Sequence, residues 1–322
     1  MDSLLPLGAW VRNPSLRSWP VLLFMLLVTV PPVAIVVFYN NPGQSTFTEA
    51  TWILAGYFAL AWLLLIAVVV RPATISLLLL LGVIAISVVT EAPLAIWLET
   101  VLHSGTSNIV TSIVTVGLPE EFAKAIPVIV IAVVVRRRIT PADYLFLGAV
   151  SGLVFGASEA EHYLTSGVGL VGGNATQDVT AALQYVWRFP TDPITHACWA
   201  GITGYFIGLA VYAQRNSGSR KWYAVCWVGL AMATVLHGLN DWGTLNGHWA
   251  WVAIAVVSAI LFLTYAKAEP PALPAAVAGG ATTPAVGPAT PGVQSPAAGG
   301  ASITALSRDI EAELEALKRD LN

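Results

Sequence analysis

Charged side chains are scarce in this chain: Lys, Arg, Asp and Glu make up 10% of its 322 residues, against about a quarter in soluble domains. That scarcity excludes a solvated globular surface. Together with 56% hydrophobic residues, it leaves an all-α, polytopic membrane helix bundle as the fold class. Cysteine is almost absent as well. Cys198 and Cys226, the two present, fall at opposite depths of the spans assigned below, which makes a disulfide between them geometrically implausible. With a net charge of −3 the chain offers no support for nucleic-acid binding. Gly-x-Ser-x-Gly, His-Glu-x-x-His and a phosphate-binding glycine loop are all missing, so the chemistries that depend on those motifs lack their signature. Inverted repeats are not visible, which counts against a transporter.

What the chain does have is long apolar runs. Those of roughly 17 to 25 residues read as spans, and there are about eight transmembrane helices: Pro20 to Tyr39, Thr51 to Val70, Ala73 to Leu98, Ile109 to Val135, Ala142 to Leu164, Ala182 to Tyr212, Trp222 to Asp241 and His248 to Ala266. Arg12, Arg17, Arg71, Arg136 to Arg138, Arg215, Arg220, Lys221 and Lys267 all fall on one side of these spans. The opposite loops carry no Lys or Arg; Arg188, near the start of the sixth span, is the one exception. The positive-inside rule therefore places both termini in the cytoplasm, with the first run retained as a span rather than removed as a signal peptide.

Three parts follow from composition. Residues 1–267 form a transmembrane domain. Residues 268–301 are rich in Pro, Ala and Gly and read as a disordered linker. Residues 302–322 place Ile303, Ile310, Leu314, Leu317 and Leu321 at helical spacing, a short amphipathic cytoplasmic helix able to self-associate or bind a partner.

Ionisable residues inside the apolar runs mark function by default. The stretch Gly117 to Lys124 holds Glu120 and Glu121 directly after Pro119, which reads as a helix start with acids over its positive end. Lys124 lies one turn on, within reach of Glu120. Counting at about 1.5 Å per residue from the cytoplasmic charges puts Glu120, Glu121, Glu159, His196, His237 and Asp241 all at roughly 22 to 30 Å depth. Four helices thus present carboxylates and imidazoles in one layer. His237 and Asp241 share a helix face at i and i+4, as do Glu159, Phe155 and Tyr163. Glu91, Glu161, His103 and His162 are read as interfacial.

Such a layer can activate water as general base and electrophile, hold a divalent metal such as zinc with Glu159, His196 and His237 as candidate ligands, or relay protons. Only His237 and Asp241 form a close-spaced ligand pair, which weighs slightly against a tightly bound ion. A proton-coupled transporter or ion pathway remains the alternative to hydrolysis, and a non-catalytic scaffold a third reading. Transport predicts polar groups continuing toward the cytoplasm, and the inner halves of these helices are apolar.

Taken in order, Glu120-Glu-Phe-Ala-Lys124, Phe155-Gly-Ala-Ser-Glu159 with Tyr163, His196 on a span ending Gly-Tyr-Phe-Ile-Gly208, and Leu236-His-Gly-Leu-Asn-Asp-Trp242 resemble the PrsW family of bacterial intramembrane proteases, relatives of the CAAX prenyl endopeptidases. The resemblance covers Pro119 to Trp242. It implies a bacterial cell-membrane endopeptidase that cuts a membrane-anchored protein, typically an anti-sigma factor, near the extracytoplasmic side. By position it makes Glu120 the general base and Glu121 its partner, with Glu159, His196, His237 and Asp241 completing the catalytic set and Lys124, Phe155 and Tyr163 supporting it. The sequence departs from the prenyl-endopeptidase pattern at Glu159, where that group has histidine, and at Asp241, where it often has asparagine. An ionised aspartate cannot donate a hydrogen bond, so metal-dependent and glutamate-type chemistry both stay open.

Overall fold

The computed structural model describes residues 44–135, 139–170, 186–218, 220–247 and 249–268. Regular structure among them is helical throughout: α1 Gln44–Val70, α2 Leu77–Leu102, α3 Ile109–Ser112, α4 Leu118–Val134, α5 Pro141–Leu170, α6 Arg188–Ser217, α7 Val225–Leu245 and α8 Ala250–Ala266. A π turn, Ile113–Gly117, joins α3 to α4, and a 3₁₀ turn, Arg220–Ala224, precedes α7. The expected span from Pro20 to Tyr39, the Arg136 to Arg138 cluster, the linker from 269 onward and the tail helix lie outside the described residues.

By length and composition four helices are able to cross a membrane: Thr51–Val70 within α1, α2, Pro141–Thr165 within α5, and α6. Ala250–Ala266 is a shorter apolar helix. At 17 residues α4 is too short for the same mark, while α7 has the length but carries His237, Asn240 and Asp241. Burial separates centre from periphery. In the apolar windows of α5 and α6, 83% and 78% of residues are buried, against 28% and 22% in α1 and α2. The last two therefore turn Leu, Ile and Val side chains outward, as lipid-facing helices do.

Close approach of α5 and α6 builds the centre. Without a hydrophobic drive between helices in lipid, small residues that let backbones touch supply the packing. Gly152 lies against the His196 carbonyl, and Gly204 against that of Tyr144. A methyl group at Gly152 has only backbone to run into, so Gly152→Ala should destabilise the fold by about 1–3 kcal/mol, the usual range for overpacking. Thermal unfolding in detergent checks this, and an unchanged midpoint would show that the two helices separate at little cost.

Two helix starts differ from the sequence reading. α2 begins at Leu77 rather than Ala73, because the Asp143 carboxylate pins the preceding turn. It accepts from Ala73 N (2.8 Å), Thr74 N (3.1 Å) and Thr74 Oγ1 (2.5 Å), and Ser76 then caps the helix through Leu79 N. Pro119 stands in the first turn of α4, as the sequence suggested, but no open coil precedes it. The chain is already helical from Ile109, and the Leu118 N–H bonds to Ile113 O, five residues back. Pro119 has no N–H to donate and its ring crowds the carbonyl four residues earlier. A widened π turn accommodates both. That turn packs on α7, where Ser112 Oγ donates to Gly238 O (2.7 Å), and a Cβ on Gly117 would stand 2.6 Å from Thr234 O.

Candidate active site

The first turn of α4 carries Glu120 and Glu121, and Lys124 follows one turn later. All three are buried, Glu121 and Lys124 completely. α7 brings His237 and Asp241, α6 brings His196, and α5 brings Glu159. The structure thus gathers into one cluster every side chain that the sequence nominated as catalytic.

Lys124 is its hub. Nζ lies 2.6 Å from Glu121 Oε1 and 3.6 Å from Glu120 Oε2, so the closer partner is Glu121 at i+3 and not, as the sequence suggested, Glu120. It also contacts His196 Nδ1 at 2.6 Å and His237 Nδ1 at 3.5 Å, and sits 4.4 Å from the centre of the Phe155 ring. An ammonium can only donate, so His196 Nδ1 accepts and its ring proton sits on Nε2. That nitrogen is 2.7 Å from Glu159 Oε2.

His237 Nδ1 is 2.9 Å from Glu121 Oε1. The acid thereby orients the ring and leaves Nε2 toward Glu120 Oε2 (3.4 Å) and Asp241 Oδ2 (3.2 Å). Trp199 stacks on His237 with ring centres 4.5 Å apart, and its Nε1–H donates to Ser258 on α8 at 2.8 Å.

Several members of this neighbourhood were not nominated from sequence. Arg188 Nη1 contacts Glu159 (3.2 Å) and Asp192 (2.5 Å), and its guanidinium carbon stands 3.6 Å from the centre of the Tyr163 ring. The signal was there: Arg188 is the lone basic residue on the wrong side of the positive-inside pattern, with Asp192 at i+4. Trp199 follows His196 by three residues on the same face.

Two of the four residues read as interfacial are not. Glu91 is 1% exposed, with Ser151 Oγ lying 2.5 Å from its carboxyl and 2.7 Å from the Lys124 carbonyl oxygen. Glu161 is buried too. It turns away from the cluster and accepts from Thr51 on α1 at 3.4 Å. His103 and His162 are exposed. The reason for both corrections is the same: a serine or threonine on a neighbouring helix offers each acid a partner that a span count does not reveal.

Glu120, His196 and His237 each offer a ligand atom within 4.8 Å of the others, a donor set of the kind that holds a divalent cation. Both His196 nitrogens already have partners, Lys124 at Nδ1 and Glu159 at Nε2, so His196 serves as a ligand only by exchanging one of them for the ion. Glu159, expected from sequence as the carboxylate ligand, pairs with His196 instead. Glu120 Oε2 is buried and makes no hydrogen bond, an expensive condition for a polar atom; its nearest polar neighbours are His237 Nε2 at 3.4 Å and Lys124 Nζ at 3.6 Å. The carboxyl groups of Glu120, Glu121, Glu159, Asp192 and Asp241 outnumber the Lys124 and Arg188 cations among them, a setting that suits a divalent ion.

A cavity of about 540 Å³ opens beside this layer, lined by Glu159, Arg188, Asp192, His196, Asn240 and Asp241 among others. The model of the PrsW family intramembrane metalloproteases matches residues 49–266. The chain belongs to this family. The PrsW match takes in α1 to α8 and so places the whole cluster within a multi-pass membrane peptide hydrolase. Comparison with curated proteins and with solved structures gave no match.

Proposed function

We propose that this PrsW-family protein is an endopeptidase of the bacterial cell membrane. It hydrolyses a peptide bond of a membrane-anchored substrate such as an anti-sigma factor, near the extracytoplasmic end of the bilayer. The observation that carries the reading is a polar cavity ending on a buried Glu120/His196/His237 group inside an otherwise apolar bundle. Glu120 takes the proton from the attacking water. Glu121 and Lys124 hold His237 and His196 in place, and Glu159 sets the outer edge of His196. Without a bound ion, His237 Nε2 faces the reacting space and hands a proton to the leaving amine, with Asp241 beside it as its second carboxylate. A divalent ion such as zinc, held by Glu120, His237 Nε2 and a His196 nitrogen released from Lys124 or Glu159, would supply Lewis acidity for water and carbonyl in place of that proton.

Cleavage is tested by co-expression with single-span reporter proteins, looking for a product that depends on Glu120. Reporters left intact in cells where the protein accumulates would overturn the assignment. For the metal, protein purified in detergent should contain about one divalent ion per chain, and chelation should remove ion and activity together. Full activity in metal-free protein would make this a glutamate-type enzyme. Both termini are proposed to be cytoplasmic, so a cysteine at Ser166 should react with an impermeant reagent outside intact cells and one at Ser217 should not. Labelling at Ser217 would invert the orientation.

A further inference from the structure

Beneath the catalytic layer, on the side away from the polar cavity, lies a second cavity of about 560 Å³. Its walls are α4 and α7 and its floor is α6. Glu121 is followed along its face of α4 by Ala125, Ile129 and Ala132. Asp192 and His196 are followed along α6 by Thr203, Ile207 and Val211. On α7, Asp241 and Thr244 line the polar cavity, His237 sits in the layer, and Leu230 and Cys226 line the groove on the same stripe. The two cavities are therefore stacked end to end on shared helix faces, with the buried acids and imidazoles between them. The groove contains no charged side chain among the described residues. It forms because α4 and α7 meet at the π turn, where Gly117 touches Thr234 and Gly238, and part below it, leaving Ile129, Val133 and Trp227 exposed.

From this stacking we infer that the groove is the docking site for the apolar transmembrane helix of the substrate, and that the polar cavity receives the juxtamembrane residues on the other side of the cut. The inference rests on the proteolytic reading and adds a substrate rule. A substrate has an apolar helix on one side of the scissile bond and a polar stretch on the other, and the bond lies at their junction. Continuity with the catalytic layer favours this occupant, since an apolar helix lying in the groove ends at Glu121 and His237. From His237 to Cys226 is 11 residues, so the groove engages about three turns, roughly 16 Å, of substrate helix.

Cys226 supplies a native test. The full chain carrying Glu120→Gln, which keeps a bound substrate uncut, is reconstituted in vesicles of phosphatidylethanolamine and phosphatidylglycerol. The probe is a single-span reporter with a leucine–alanine helix and a polar extension, bearing one cysteine at successive positions. Oxidation should give a disulfide adduct for reporter cysteines two to three turns into the apolar helix. The adduct should vanish in Cys226→Ser.

Groove-filling Ile129→Trp and Ala132→Trp, both at partly open positions, should raise KM for reporter cleavage roughly tenfold and leave kcat near the parent value, as loss of uniform binding does. The parent protein's cleavage of the same reporter is scored separately. An adduct without a cut keeps the docking site and removes the proteolytic reading. A cut without any adduct does the reverse. Absence of both also overturns the docking site.

Discussion

Glu120→Gln is expected to lower proteolysis by about 10²- to 10⁴-fold, the usual worth of general-base assistance, in protein that accumulates and purifies like the parent. Glutamine keeps an oxygen near His237 Nε2, 3.4 Å from the present Glu120 Oε2, and nearly the same volume. It cannot accept a proton from water. Glu161→Gln is the matched control: it removes a buried carboxylate on the far face of α5 that bonds Thr51 on α1, so activity should stay close to normal. Parental cleavage by Glu120→Gln, in membranes where it is folded, would end the catalytic reading of the Glu120 and Glu121 pair.

The largest expected effect on stability belongs to Lys124→Met. Methionine fills most of the lysine's volume, yet it leaves Glu121, completely buried, without the ammonium now at 2.6 Å. Breaking a buried ion pair from one side typically costs about 3–5 kcal/mol, whereas replacing both partners by neutral groups is often close to neutral. The double variant Glu121→Gln with Lys124→Met should therefore regain much of the lost thermal midpoint in detergent. Neither should be active, because His196 loses its Nδ1 donor in both and His237 loses its carboxylate in the second. A single Lys124→Met as stable as the parent would mean that Glu121 sheds its charge without its partner.

Counting residues along a helix reports depth well and azimuth poorly. The depth argument placed Glu120, Glu121, Glu159, His196, His237 and Asp241 in one layer, and the fold brings them together. It could not decide whether Lys124 pairs at i+3 or i+4, since both positions are neighbours on a helix, nor which imidazole nitrogen meets which acid. Glu159 looked like a ligand because its chemistry allows it. Only the approach of α5 to α6 through Gly152 sets it against His196 and leaves Glu120 to complete the group. Pro119 marked the start of α4, but the π turn before it was not legible, because a proline signals the same thing after open coil and after a π turn. Trp199 went unnoticed because an aromatic in an apolar run looks like any other packing residue until α7 lies across it.

Glu121, Lys124, Trp199 and His237, all fully buried, lie in the layer between the polar cavity and the apolar groove. With no substrate bound, water admitted to the chemistry from one side meets a dry partition that only an entering substrate chain parts, and the groove beyond it offers ions no hydration. The resting bundle can thus keep a wet reaction chamber within the bilayer without an open path for ions through it.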